Sequence, residues 1–407
     1  MGREMSSRDG WKGLIADTSE YVKARQSIPS GLTSTQAISE RQEHIKSALG
    51  ATEEEWNDWQ WQLKNRIDDP DVLAQILDLE EERLKGVRQV GESFRWAISP
   101  YYASLIDPED PGCPIMQQSV PQAAELEDIF GVDDPMSERL GHPVPNVTRR
   151  YPDRIIITAT NQCGMFCRHC QRRRNFGEVD RALSREELQV AVDYVAGQPE
   201  IRDVLITGGD PFTLADDHLD WLLGQLDQIP HLEIKRIGTR LPVTLPQRIT
   251  PELCDMLSRH HPLYINTQFN HSMEVTRESM EACDRLTRAG IPLGNQAVLL
   301  KGVNDCPHTM KKLHHELLRI RVKPYYIFHA KPVKGTAHFI TPVETGVEIM
   351  EHFRGYTTGL AIPTFVINVP GGAGKVPVMP DYILYYGRDH IAMRSWEGDV
   401  YKYPNRR

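Results

Sequence analysis

The chain has 407 residues, of which 40% are hydrophobic and 25% charged, and a formal net charge of −9. That length buries a substantial core and suffices for one large domain with appendages or for two domains. The acidic balance argues against general binding to nucleic-acid phosphates, and no apolar run approaches the roughly 18 residues that mark a membrane helix.

The first ten residues lack the apolar core of a signal peptide, although Met1–Ser6 fits a Gly2 myristoylation pattern. Residues 1 to about 130 read as a polar helical extension. Thr52-Glu-Glu-Glu55 is a capping-box signature, and Trp56, Trp59, Leu63 and Ile67 follow at helical spacing. Such a stripe is expected to pack against a neighbouring domain or subunit. The stretch from Pro100 to Pro145, rich in Pro, Asp and Gly, reads as a linker.

From Arg154 onward strands alternate with helices. Apolar strands are expected near 155–160, 203–207, 234–239, 263–269, 292–300 and 323–329. Ser184-Arg-Glu-Glu187, Thr250-Pro251 and Thr341-Pro-Val-Glu344 carry helix-start signals. Six strand–helix units imply a parallel sheet. Right-handed crossovers would curl it into a partial (β/α)₆ barrel with functional groups at the carboxyl ends of the strands. A flavodoxin-like sheet is the alternative. The seven cysteines cluster only at 163, 167 and 170, which is no disulfide framework and suits a reducing cytoplasm. Cys254 and Cys283 fall in helix-like runs as small core residues.

The first strand runs into Cys163-Gly-Met-Phe-Cys167-Arg-His-Cys170, a C-x₃-C-x₂-C spacing. Three thiolates can hold three irons of a 4Fe–4S cluster and leave the fourth open, since four cysteines would close it. A zinc site completed by His169 or a distant residue is the alternative. Gly208-Gly209-Asp210 follows the second strand, where glycines permit close approach of backbone to a ligand. After a seventh apolar stretch, Pro370-Gly-Gly-Ala-Gly-Lys375 fails the phosphate-loop spacing and has Val376 where a magnesium-binding hydroxyl would stand. A glycine-rich loop delivering one lysine suits a Schiff-base amine instead. Arg149-Arg-Tyr-Pro-Asp-Arg154 is either a phosphate clamp or a solvated basic turn. One of Arg172, Arg173 and Arg174 could pair with a carboxylate, the others holding the loop or facing solvent.

The segments RRYPDR, CGMFCRHCQRRRNFGE, ITGGDP, GTRLPVTLPQRIT, NTQFNHSMEVT, LGNQAVLLKGVNDC and PTFVINVPGGAGKVPV occur in the order found in the lysine 2,3-aminomutase family of radical S-adenosylmethionine enzymes. The resemblance covers roughly residues 50 to 400. It implies an isomerase that moves an amino group from Cα to Cβ of an amino acid by radical migration, using a 4Fe–4S cluster, S-adenosylmethionine and pyridoxal phosphate. By that resemblance Cys163, Cys167 and Cys170 bind the cluster and Lys375 carries pyridoxal phosphate. Arg150, Tyr151 and Arg154 lie near the coenzyme phosphate, and Arg172 receives the substrate α-carboxylate. His169, Gln296 and the backbone of Gly208, Gly209 and Asp210 approach S-adenosylmethionine. Asp210 stands for the usual Glu, and Gln268 stands where the lysine enzymes carry His.

Two departures bear on the substrate. Where the lysine enzymes place two aspartates on the distal ammonium, this chain has Lys331 and Asn368. A lysine facing that ammonium would cost several kcal/mol, whereas a distal carboxylate is complementary. The expected substrate is therefore glutamate, with free or protein-bound lysine as the alternative; a non-catalytic zinc or iron–sulfur protein is the reading from another class. The zinc-binding cysteine tail of some lysine enzymes has no counterpart, so no zinc is expected and Cys306 is left as a spare thiol. The expected division is 1–130 as helical region and linker, 131–362 as radical S-adenosylmethionine barrel, and 363–407 as coenzyme-lysine loop and C-terminal segment. A homodimer or larger homo-oligomer, a flavodoxin or ferredoxin as electron donor, and a cytoplasmic location complete the expectations.

Overall fold

β-Branched and apolar runs make the strands of one nine-stranded sheet. They are β1 (Val147–Arg149), β2 (Arg154–Thr160), β3 (Asp203–Gly208), β4 (Ile234–Gly238), β5 (Leu263–Thr267), β6 (Leu293–Leu299), β7 (Lys323–His329), β8 (Thr364–Asn368) and β9 (Lys375–Pro377), neighbours in chain order. In this computed structural model, which describes Trp11–Asn405, β2 to β8 run parallel. β1 and β9 pair antiparallel at the two edges and do not meet, so the barrel stays open. The six expected strands are all present. The seventh apolar stretch extends them as β8, and Lys375 arrives on the return strand beside it. The Gly2 pattern and the N-terminal decapeptide lie outside the described residues.

Alternation along the strands sorts their side chains between two environments. β2 and β6 alternate buried and half-buried positions. Ile155, Ile157, Val204, Ile206 and Ile265 join one core with Leu188, Leu222 and Leu286 of the covering helices Arg185–Ala196, Asp216–Asp227 and Arg277–Arg288. Cys254 and Cys283 are buried in that core. The opposite face presents Arg236, Asn266, Gln296 and Tyr326 to an interior cavity. A closed eight-stranded barrel fills its interior with branched apolar layers; this open one keeps a polar chamber.

The helix starts at Thr52, Ser184 and Thr250 form as expected, each side chain accepting a backbone N–H of the first turn. The start near Thr341 is displaced: Pro342 takes the N-cap position, and the Thr341 hydroxyl is buried without a partner. The tryptophan stripe is split. Glu53–Asn57 ends, Asp58 caps a second helix, Trp59–Lys64, by accepting Gln60 N–H at 2.9 Å, and Trp59 lies 4.4 Å from the Arg248 guanidinium. The stripe thus packs on the barrel of its own chain.

The Pro100–Pro145 stretch does more than link. It contains helices Pro100–Ala103 and Pro114–Ser119 and sends two carboxylates into the barrel, Glu125 and Glu138. Glu125 accepts from Arg168 at 2.9 and 2.6 Å and from Arg173 at 2.6 Å, all in the dry interior. β10 (Ile383–Tyr386), β11 (His390–Arg394) and β12 (Val400–Pro404) form a separate antiparallel meander. No helix among the described residues is long and apolar enough to cross a membrane.

Candidate active site

The residues that the resemblance assigns to cluster, S-adenosylmethionine, coenzyme and substrate all line one cavity of about 1020 Å³ inside the barrel, whereas Arg149, Arg173 and Arg174 do not. The cysteine loop leaves β2 at its rim. Phe166 anchors it, stacking on Phe176 at 4.4 Å and donating its N–H to the Ala97 carbonyl, while Arg168 is pinned to Glu125. Arg66 donates to the Cys163 carbonyl. Burial raises the Cys163 thiol well above its ordinary range and pushes Cys170 up to about 11. Arg240 Nη1 donates to Cys167 Sγ at 2.7 Å. Arg240 is itself held by Glu274 at 2.6 Å and Gln118 at 2.7 Å. Among the described residues no three His, Cys, Asp or Glu side chains converge on one ion. An iron–sulfur cluster gives each thiolate its own iron, so its ligands need not meet at a point.

The glycines after β3 are required by the cysteine loop. A Cβ on Gly208 would strike the Thr160 carbonyl, and one on Gly209 the Gln162 carbonyl. The N–H groups of Gly209 and Asp210 donate to those same two carbonyls, and the Asp210 carbonyl accepts from Thr213 N–H at 3.0 Å and from the Thr213 hydroxyl at 2.7 Å. The Asp210 side chain caps the next turn, accepting from Phe212 N–H, the Thr239 hydroxyl and Arg240 N–H, and burial lifts it to about 6. His169 Nε2 accepts from Gln268 and Asn270, both at 3.3 Å, while its buried Nδ1 has no partner. Burial, then the charges of Arg240, Arg173 and Lys331, hold this imidazole well below its usual pKa. Gln268 therefore sits inside the site despite replacing His.

At the opposite end Lys375 Nζ stands 5.5 Å from the Tyr151 ring and 5.9 Å from those of Tyr326 and Phe328. It is open to the cavity, yet burial and then Arg154, Arg236 and Arg150 lower it to about 8. Arg154 stacks on Tyr151 at 3.8 Å, and Arg150 reaches the Met136 carbonyl at 2.8 Å. Three guanidinium groups round one amine form a site for a polyanion. Asn368 is the cross-strand partner of Lys375 in the β8–β9 register, so their side chains share a face. Lys331, after β7, lies 5.2 Å from the Phe328 ring; burial, then Arg172 and Lys375, bring it down to about 7.

The three consecutive arginines divide their work. Arg173 goes to Glu125, Arg174 to Glu138 and Asp134, and Arg172 to Glu138. Glu138, Arg236 and Arg240 were not singled out from the sequence. Arg240 follows β4 at its carboxyl end, the position that marked the other groups. Glu138 comes from a segment with no such signal.

Residues 157–313 match the radical SAM superfamily model, and residues 350–407 match the lysine-2,3-aminomutase model. A glutamate 2,3-aminomutase of Clostridioides difficile is 54% identical over 389 residues, covering 96% of this chain and 92% of that protein. The chain belongs to the lysine 2,3-aminomutase family. An L-lysine 2,3-aminomutase of Clostridium subterminale is 48% identical over 367 residues (90% of this chain, 88% of that one), and one of Bacillus subtilis is 47% identical over 353 residues (86% and 75%). Lysine 2,3-aminomutase family members are isomerases that act on small amino acids with a 4Fe–4S cluster, S-adenosylmethionine and pyridoxal phosphate. The cavity fits these groups: thiols at one end, an amine ringed by guanidinium groups at the other, and an unpartnered buried imidazole nitrogen between.

Proposed function

We propose that this aminomutase interconverts L-glutamate and β-glutamate (3-aminopentanedioate). The observation that carries the reading is Lys331, brought down to about 7 by burial and by Arg172 and Lys375 in a cavity that Asn368 also lines. A distal carboxylate would relieve that repulsion; a distal ammonium would add to it. The 54% identity with a glutamate enzyme, against 48% and 47% with lysine enzymes, points the same way.

In this reading Cys163, Cys167 and Cys170 hold the cluster, and the backbone of Gly208, Gly209 and Asp210 with His169, Gln268 and Gln296 holds S-adenosylmethionine. Arg150, Tyr151 and Arg154 hold the coenzyme phosphate and Lys375 its carbonyl carbon. Bound together, these groups supply hydrogen-atom abstraction and a conjugated carrier for the migrating nitrogen. The chain itself binds, orients and excludes. Arg172 takes the α-carboxylate and Lys331 with Asn368 the distal one, so the substrate is stretched between two fixed ends and its Cβ is held in place. The lowered Lys375 amine has a neutral fraction near pH 7, which nucleophilic attack requires. Tyr326 and Phe328 form the cavity wall beside Lys375.

The same reading gives 131–362 as the radical S-adenosylmethionine barrel and 363–407 as the coenzyme-lysine segment. It includes a cytoplasmic homodimer or larger homo-oligomer reduced by a flavodoxin or ferredoxin. Proton NMR of the holoenzyme incubated anaerobically with glutamate, and separately with lysine, tests it. β-Glutamate should form and lysine remain unchanged; the converse overturns the assignment.

A further inference from the structure

We propose that Glu138 is a positioning residue that presents Arg172 to the substrate α-carboxylate and ties that clamp to the coenzyme end of the cavity. The inference rests on the proposed function for the role of Arg172, but not on which distal group the substrate carries.

Glu138 enters the barrel from Ser137, whose φ of 49° turns the chain into the short helix Glu138–Gly141. Its side chain is almost fully buried. Both carboxylate oxygens accept from Arg172 Nε at 3.1 Å, and Oε1 accepts from Nη2 at 2.8 Å. A guanidinium is a rigid fork with two usable edges. Glu138 takes the Nε side. Among the described residues Arg172 Nη1 makes no hydrogen bond to protein, and the residue lines the cavity. The free edge is the one a substrate carboxylate can grip in bidentate fashion.

Glu138 is not free to leave with the substrate's arrival. Its Oε2 also accepts from Arg174 Nη2 at 2.7 Å, and Oε1 lies 3.6 Å from Arg150 Nη2. One carboxylate thus fixes the α-carboxylate clamp, braces the cysteine loop through Arg174, and touches the arginine placed at the coenzyme phosphate. It also offsets the mutual repulsion of Arg150, Arg172 and Lys331, which otherwise face one another across the cavity. Without it Arg172 would keep its charge and lose its direction.

The test is a titration of the holoenzyme, before S-adenosylmethionine is added, followed through the absorbance of bound pyridoxal phosphate. The two ligands are glutamate and 4-aminobutyrate, which is glutamate without its α-carboxylate. Glu138→Gln is expected to weaken glutamate by about tenfold or more relative to 4-aminobutyrate, because only the first uses Arg172. In turnover the KM for glutamate should rise by the same factor with kcat moving less. Equal weakening of both ligands would assign Glu138 a general structural role and overturn the proposal. Unchanged or tighter glutamate binding would make it a mere occupant of Arg172, and also overturns it. Should Glu138→Gln fail to fold, Glu138→Asp keeps the charge and shortens the reach, and the same selective loss is expected. If the unmodified enzyme binds lysine and not glutamate, the functional reading fails separately. Lysine against pentane-1,5-diamine then makes the same comparison for Glu138.

Discussion

In the proposed reading Lys331 concentrates the chemistry of selection in one side chain. Its ammonium is lowered from an ordinary 10.5 to about 7 by burial and by neighbouring cations. The charged form is the one that attracts a carboxylate, and it is populated below that value and lost above it. For glutamate, kcat/KM should therefore fall as pH rises past about 7, approaching tenfold per unit, and Lys331→Met should abolish that limb while lowering activity. A pH–rate profile of the two enzymes checks this. Replacing Lys331 and Asn368 together by Asp inverts the charge of the distal pocket. Glutamate turnover should drop by about a hundredfold or more, since like charges brought together cost several kcal/mol. These two residues were legible because they depart from a pattern the rest of the motif keeps. Glu138 was not: its partner is 34 positions away, and nothing local to it announces a buried anion.

At the scale of elements, the parallel strands and the loop after each were written in the alternation of apolar runs and caps. β8 was expected only as a seventh apolar stretch grouped with the coenzyme-lysine segment 363–407, yet it pairs in parallel with β7 and brings Lys375 back on β9. The tryptophan stripe kept helical spacing while the helix itself broke at Asp58, whose carboxylate caps better than it propagates. The Gly208–Gly209 pair illustrates how a loop depends on its neighbour. Its lack of side chains lets β3 run beneath the Thr160 and Gln162 carbonyls that lead into Cys163. Gly209→Ala should push this loop outward, costing about 1–3 kcal/mol. Iron and sulfide incorporated on reconstitution should fall while far-UV circular dichroism is retained.

Across the whole molecule, the N-terminal extension is bound to the barrel by ions as well as by its apolar face. Glu125 joins Arg168 and Arg173 of the cysteine loop with no exposure to solvent on the carboxylate. Removing the acid by Glu125→Ala leaves two buried guanidinium groups unpaired, and a loss of about 3–5 kcal/mol in urea unfolding is expected. Glu125 and Glu138, both from the Pro100–Pro145 stretch composed like a linker, pair with four arginines, Arg168, Arg172, Arg173 and Arg174, in the loop that carries the thiols. The cavity that results has three thiols at one end, Lys375 at the other and Lys331 with Asn368 in its wall, to which the proposed reading assigns the cluster, the coenzyme and the distal carboxylate. In the proposed reading that wall chooses glutamate. Anaerobic reconstitution with iron, sulfide, pyridoxal phosphate and S-adenosylmethionine, followed by proton NMR of glutamate and lysine in parallel, measures it most directly. β-Glutamate accumulating while lysine stays unchanged is the predicted result; β-lysine forming with glutamate untouched, the cluster being intact, would contradict it.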